Sequence, residues 1–373
     1  MKVEKLITAN QKERYMLVDN KDEIINPVLR FLKYRDNVGA ARNTLKAYCH
    51  HLKLFFEFLE QEKLDYTSVK VDNMASFVAW LQYPLPSNVR SLICEDGRRS
   101  PRTVNMVINT VLSFYGYLMR HEDYQQTLSE RLKKNMSVSR KGFKDFLYHI
   151  NKDKTFKANI LRVNVPKTKI KVLSKENIEK LLQNCTNCRD YFLLRLLWES
   201  SMRIGEDLSL WLEDFEIETC KIHIRDRGKL ENQAEIKTVN SPRTIDVSMD
   251  LMNKFMEYIS EYHTDEVDTN FVFIKLTGIN KNRPMKYQNV VSLFKRLKVK
   301  SGISVHPHML RHSSLTELRR AGWKSESLRI RAGHKNFQTT LQMYIHPSDE
   351  DLRKDWEKVE ENMKLKDNIR GDI

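Results

Sequence analysis

The chain has 373 residues, more than one ordinary domain holds and enough for two. Hydrophobic residues make up 40%, enough for packed cores, yet no apolar run approaches the ~20 residues that span a bilayer. Lys and Arg outnumber Asp and Glu by 64 to 49, a net charge of +15 that attracts polyanions and makes nucleic acid the leading partner.

In chain order, Met1 to Asn10 lacks an apolar signal core, and residues 1–22 read as an N-terminal arm or as disordered. Asn43 to Glu60 predicts an amphipathic helix: Leu45, Tyr48, Leu52, Phe55 and Leu59 recur in steps of three and four, with Asn43 or Thr44 as a cap. Asn73 to Gln82 predicts a second helix. Pro101 to His121 predicts a third, with Pro101 in the first turn and Ser100 before it as the cap. Residues 23–125 thus read as an all-helical module. Arg42 and Lys46 near the first helix, and Arg98, Arg99, Arg102 and Asn105 at the start of the third, are candidates for contact with phosphates or a groove, and equally for solvated surface.

Residues 126–171 form a basic linker or insertion. From Glu130 to Lys169 it carries twelve Lys and Arg against three Asp and Glu. Such a run is commonly a solvated linker, and between two DNA-gripping lobes it would also track phosphates.

Residues 172–373 read as a mixed module. Ser174 caps a helix over Glu176–Leu182, and Tyr191–Trp198 is a strongly apolar helix. Cys220–Arg225, Ala234–Thr238 and Arg243–Ser248 read as short strands separated by Gly228 and by Asn240-Ser241-Pro242. Helices follow over Met249–Tyr262, Gln288–Lys298, Pro307–Ala321 and Asp349–Met363. The fold class expected is mainly α with a small antiparallel sheet. Cys49, Cys94, Cys185, Cys188 and Cys220 are too scattered for a disulfide framework and read as reduced thiols in a cytoplasmic protein.

Ionisable residues cluster in this second module. Glu199-Ser-Ser-Met-Arg203-Ile-Gly-Glu206, His306-Pro-His308-Met-Leu-Arg311-His312 and Gly333-His334, with Tyr344 beyond, are the three segments; Lys237 lies between the first two. Two guanidiniums brought together repel unless an anion lies between them, and a phosphodiester matches their forks. Fixed donors aimed at its non-bridging oxygens stabilise attack at phosphorus. A phenol with pKa near ~10 is a credible attacker, so Tyr344 reads as nucleophile and Lys237 as the acid that protonates the leaving oxygen. His308 and His312 stand at i and i+4 like a zinc pair, but Met309 occupies the place of the required glutamate and no third ligand is fixed. Taken singly each residue has a plainer role: Tyr344 a packed ring, Lys237 an exposed strand lysine, Arg203 a salt-bridge partner of Glu206.

These motifs resemble the signature of the tyrosine recombinase (phage integrase) family: Arg in a G-x-R-x-x-E-like turn, Lys on a hairpin, His-x-x-Arg, Gly-His, and Tyr about ten residues later. The resemblance implies Arg203, Lys237, His308, Arg311, His334 and Tyr344 as the catalytic set, with Glu206 in support. It implies double-stranded DNA as partner and a homo-tetramer on DNA. It also implies a phosphotyrosyl intermediate and no metal or nucleotide cofactor. The layout with its basic insertion is similar to the transposase-A type of bacterial transposons, with accessory transposition proteins among the partners to expect. Leu352, Trp356 and Val359 on the last helix are candidates for docking on a neighbouring subunit. Ser200-Ser201 departs from the Gly or Thr usual before the Met-Arg pair. The long hairpin leaves Lys229 as a rival to Lys237, although Lys-Thr-x-x-Ser-x-Arg-Thr favours Lys237 as a unit. The rival reading of the whole chain is a non-catalytic DNA-binding protein with the same fold, which would need no nucleophile.

Overall fold

The computed structural model describes residues 1–8, 13–83, 99–121, 133–137, 155–159, 161–166, 171–234, 236, 241–335, 353, 356, 357 and 360. By backbone contacts the chain divides into two units, Met1–Lys167 and Thr168–Ile373.

The first unit opens with strands β1 (Lys2–Ile7) and β2 (Glu13–Val18), paired antiparallel from Lys2↔Val18 to Ile7↔Glu13. Sequence leaves an arm or disorder open for this stretch; in the structure Leu17 is fully buried in the helical core, and Arg14 clamps Asp36 with two hydrogen bonds of 2.6 Å. Helices α1 (Asn26–Asn37), α2 (Arg42–Gln61), α3 (Val71–Gln82) and α4 (Pro101–His121) follow. Periodicity places the last three within one or two residues. Helix α1 carries its own apolar stripe, Val28, Phe31 and Leu32, behind Pro27 in the first turn. Neither Asn43 nor Thr44 caps α2: its N-cap is Ala41, with no side-chain cap. Ser100 does cap α4, accepting from the Thr103 amide at 3.3 Å.

The basic stretch includes a hairpin, β3 (Lys133–Ser137) and β4 (Thr155–Asn159), paired from Lys133↔Asn159 to Ser137↔Thr155. Residues beyond it pack back on α4. Asn105 donates through Nδ2 to the Val163 carbonyl at 2.8 Å and accepts the Val163 amide on Oδ1 at 2.9 Å. Asn105→Ala strips both partners from a half-buried peptide, a cost of about 1–3 kcal/mol. The expected result is faster amide hydrogen exchange over residues 161–166, with protection in α2 unchanged.

The second unit holds α5 (Lys175–Gln183), α6 (Cys188–Ser200) and a single helical turn, α7 (Ile204–Asp207). A three-stranded antiparallel sheet follows, ordered β5 (Phe215–Glu216), β6 (Lys221–Ile224), β7 (Arg243–Asp246). Then come α8 (Met249–Tyr262), α9 (Tyr287–Ser301), α10 (Pro307–Arg320) and α11 (Ser325–Ala332). Ser174 caps α5 through the Asn177 amide, as its sequence position implies.

The strand expected over Ala234–Thr238 is not formed at Ala234 or Ile236. The amide of Ala234 is satisfied locally by Asn232 Oδ1 at 3.0 Å, while Asn232 Nδ2 donates to the Leu208 carbonyl at 2.7 Å. A side chain thus replaces the ladder, and the third strand is Phe215–Glu216. The core is built on α6, whose Phe192, Leu193, Leu196 and Leu197 are buried among residues of the sheet, α8 and α9. The fold is mainly helical with small antiparallel sheets. Cys49, Cys185, Cys188 and Cys220 are free thiols, and Cys94 lies outside the described residues. No described helix is long and apolar enough to cross a membrane.

Candidate active site

Helix α6 ends at Ser201 in the left-handed region, φ 59°. Glycine adopts this cap conformation freely, whereas serine bears a Cβ there, at a cost of about 1 kcal/mol. Ser201 is fully buried and its Oγ meets Ser314 Oγ at 2.5 Å, which anchors the strained turn to α10. The chain then runs through Met202, buried in the core, and delivers Arg203 as the N-cap of α7.

Arg203 and Arg311 meet here from positions more than a hundred residues apart. Arg311, 3% exposed, donates through Nη1 to the Ser201 carbonyl at 2.6 Å, and through Nη2 to the Ala332 carbonyl at 2.6 Å and to His334 Nε2 at 3.1 Å. Arg203 donates through Nη2 to the Gly333 carbonyl at 3.3 Å. Gly333 is the left-handed C-cap of α11, φ 59°, and turns His334 back toward Arg311. Since a guanidinium only donates, His334 Nε2 is the acceptor and its ring proton sits on Nδ1. Burial and the surrounding arginines push the His334 pKa down to about 3, so the ring is neutral near pH 7.

The anion between the arginines is a side chain of the protein. Glu206, 1% exposed, accepts from Arg203 Nη1 on Oε1 at 2.9 Å and from the Arg203 amide on Oε2 at 3.0 Å. Arg243 Nη2 reaches Oε2 at 3.0 Å, and Arg311 Nη1 stands 4.0 Å away. Burial works against the charge, but the pairing with Arg243 and the field of Arg311 outweigh it and hold the carboxyl at about 2.

Asp207 behaves oppositely. It is fully buried, both its oxygens lack a hydrogen-bond partner, and burial followed by repulsion from Glu206 raises its pKa well above the usual range. Three guanidiniums (Arg203, Arg243, Arg311) against one ionised carboxylate leave a surplus of two positive charges. A phosphodiester gains a second negative charge as it is attacked, so the surplus suits the transition state better than the ground state.

Other sequence candidates fall as follows. His308 is exposed on the first turn of α10, its ring 6.3 Å from that of His312. Burial, then the neighbouring His308 and Arg311, pushes His312 down to about 4. Lys237 and Tyr344 lie outside the described residues. Lys229 sits in an exposed turn after Gly228. In the first unit Arg42 pairs with Glu13 at 3.5 Å, Lys46 lies 5.8 Å from the Tyr15 ring centre and Arg99 lies over Trp80; Arg102 is exposed, Asn105 is engaged with Val163, and Arg98 lies outside the described residues. Trp356 is helical and 57% exposed, while Leu352 and Val359 are outside the described residues.

Neither Arg243 nor Asp207 stands out from the sequence as a site residue. Arg243 lies within the Lys-Thr-x-x-Ser-x-Arg-Thr unit that points to Lys237, so its spacing was a usable signal. Asp207 carried none, since an acid beside Glu206 in sequence looks like surface charge.

Comparison with known proteins matches residues 171–351 to the phage integrase family, and residues 29–122 to the N-terminal SAM-like domain of phage integrases. Transposase A from transposon Tn554 of Staphylococcus aureus is 37% identical over 98% of this chain and 100% of its own length. The chain belongs to the phage integrase family. Membership makes it a site-specific tyrosine recombinase. Tyrosine recombinase XerD of Staphylococcus saprophyticus is a more distant relative, 24% identical over 89% of this chain and 97% of its own. Among solved structures, the fold is similar to the Tn1549 transposon integrase in complex with a circular intermediate DNA. That match has a TM-score of 0.62 and 18% identity, and covers 89% of this chain and 99% of the other. It is also similar to a lambda integrase dimer bound to a core site, at a TM-score of 0.55 and 12% identity over 86% and 76%.

Proposed function

We propose that this recombinase moves a mobile element, in integration or excision, by cutting and rejoining duplex DNA through a 3′-phosphotyrosyl bond at Tyr344. The observation that supports this reading is the convergence of Arg203, Arg311 and His334, supplied by three separate segments, around a site with surplus positive charge. In the first step the Tyr344 phenolic oxygen attacks phosphorus and the bond to the 5′ oxygen breaks. His308 takes the phenol proton, and Lys237 gives a proton to the departing 5′ oxygen. Arg203, Arg311 and the Nδ1–H of His334 hold the non-bridging oxygens. The phosphotyrosine conserves the bond energy, so attack by a 5′ hydroxyl reseals the strand without a nucleotide cofactor, and no step uses a metal.

Residues 23–125 grip DNA, residues 126–171 connect along the backbone, and residues 172–373 carry the chemistry. The net charge of +15 supports tight, salt-sensitive binding to duplex DNA. DNA binding also accords with the relatives solved with DNA. Recombination joins two duplexes, so we assign a homo-tetramer on DNA, with the exposed Trp356 docking on a neighbouring protomer and accessory transposition proteins assisting.

A nicked suicide duplex carrying the element's end, incubated in EDTA, tests the mechanism. The expected product is a covalent protein–DNA adduct resistant to denaturant, reduced at least about a thousandfold in Tyr344→Phe, since the phenylalanine ring has no attacking oxygen. Tight binding with no adduct would establish a non-catalytic DNA-binding protein instead. Cutting that stops in EDTA would point to a metal hydrolase.

A further inference from the structure

Glu206 is held from two sides, by Arg203 of its own turn and by Arg243 at the start of β7. The Arg243 side chain is buried, and each of its three nitrogens is engaged. Nη2 donates to Glu206 Oε2 at 3.0 Å, Nε to the Arg331 carbonyl at 2.8 Å and Nη1 to the Ser241 carbonyl at 2.7 Å. One planar fork therefore joins the central sheet, the Arg203 turn and the last turn of α11. Arg331 lies two residues before Gly333, whose carbonyl receives Arg203.

We propose that Arg243 is a positioning residue for strand cleavage, fixing the Glu206 carboxylate against the end of α11 so that Arg203 and the Gly333–His334 turn address one phosphate together. This rests on the cleavage reading above. The guanidinium plane sets three acceptors at fixed mutual angles, which a lysine ammonium on a flexible stem does not. A shift near 1 Å at such a site costs about a hundredfold in rate.

A second consequence concerns protons. The charged and titratable groups facing Glu206 are Arg203 and Asp207 from its own turn, Arg243 from β7 and Arg311 from α10. With Arg243 replaced by methionine, burial of Glu206 is opposed by Arg203 and Arg311 alone. The carboxyl then takes a proton at higher pH, and the acid side of the cleavage profile moves toward neutrality.

Single-turnover adduct formation on the suicide duplex, with the full chain, tests this in Arg243→Met, Arg243→Lys, Glu206→Gln and the Met/Gln double variant. Thermal unfolding and DNA affinity are measured beside it. Arg243→Met is expected to slow adduct formation about a hundredfold at unchanged DNA affinity and to move the acid limb upward. Arg243→Lys should restore the limb but remain about tenfold slow, because charge returns without the fork. In the Glu206→Gln background the methionine change should cost less than about threefold more. Wild-type rates in Arg243→Lys would overturn the proposal. So would an unmoved acid limb together with a full hundredfold loss in the Glu206→Gln background, which marks a merely structural role. Should Arg243→Met not fold, the lysine variant alone decides by its rate. A wild-type chain that forms no Tyr344 adduct overturns the cleavage reading itself, a result distinct from any of these.

Discussion

Arg311→Lys is expected to lower the rate of adduct formation by about a thousandfold while leaving DNA affinity within a few-fold of wild type. Losing one fixed donor to a transition-state oxygen costs about a hundred- to a thousandfold, and beyond the phosphate contact proposed for it Arg311 holds three acceptors of the protein. Its Nη1 and Nη2 satisfy the Ser201 carbonyl that ends α6, the Ala332 carbonyl that ends α11, and His334 Nε2. An ammonium cannot reach all three from one point. One carbonyl in the buried site is left without a donor, at about 1–3 kcal/mol, and the His334 ring loses the partner that sets its tautomer. Affinity is spared because the many phosphate contacts of a basic chain dominate binding. The measurement is the single-turnover rate at saturating protein, with a melting curve to show that the variant is folded. A rate above one tenth of wild type would remove Arg311 from the centre of the mechanism.

What was legible in the sequence was whatever repeats at short range. Helices α2, α3, α4 and α8 announce themselves through three-and-four spacing, and Ser174 and Ser100 through their positions ahead of apolar runs. The N-terminal hairpin was not legible, because burial along it does not alternate: only the adjacent Leu17 and Val18 are buried. Nor was the non-strand at Ala234, where Asn232 supplies the hydrogen bond that a neighbouring strand would have given. In the site, the residues Arg203, Glu206, Arg311 and His334 could be named through their resemblance to the family's motifs, and the structure brings those four together. Sequence offered Glu206 as a partner of Arg203 but could not tell that Arg243 and Arg311 share the same carboxylate. Those contacts span 37 and 105 positions of sequence, and Arg243 read locally looks like ordinary surface charge. The left-handed Ser201 is the converse case. A departure from the family's usual Gly or Thr becomes intelligible once its backbone angle and its Ser314 bond are seen.

Glu206→Leu is expected to destabilise the second unit by about 3–5 kcal/mol, because it leaves the buried guanidiniums of Arg243 and Arg311, and the half-buried one of Arg203, without their shared carboxylate. For a unit of this size the melting point should fall by about 10 °C. Trp80 is the one tryptophan of the first unit, so a Trp80→Phe background leaves fluorescence that reports on the second unit alone. The sign of the pH dependence follows from the same cluster. Glu206 is held at about 2 in the folded chain against 4.5 for a free carboxyl, so its contribution is complete above about 4.5 and is lost as pH falls toward 2. His334 and His312 act in the same direction. Each refuses a proton in the folded chain until about pH 3 or 4, while the unfolded chain accepts one near 6.5, so acidification favours unfolding. Asp207 opposes them with one proton, because its raised pKa makes the folded chain bind that proton before the unfolded chain does. The two histidines outweigh it, so wild type should lose stability as pH falls from 6.5 toward 3, by less than the histidines alone would give. Glu206→Leu should start lower and fall less steeply at the acid end, because the carboxylate's share of the slope has been removed. Equal slopes below pH 4.5 in the two proteins would mean that Glu206 does not hold its charge among the arginines, and the surplus of two positive charges assigned to the site would have to be recounted.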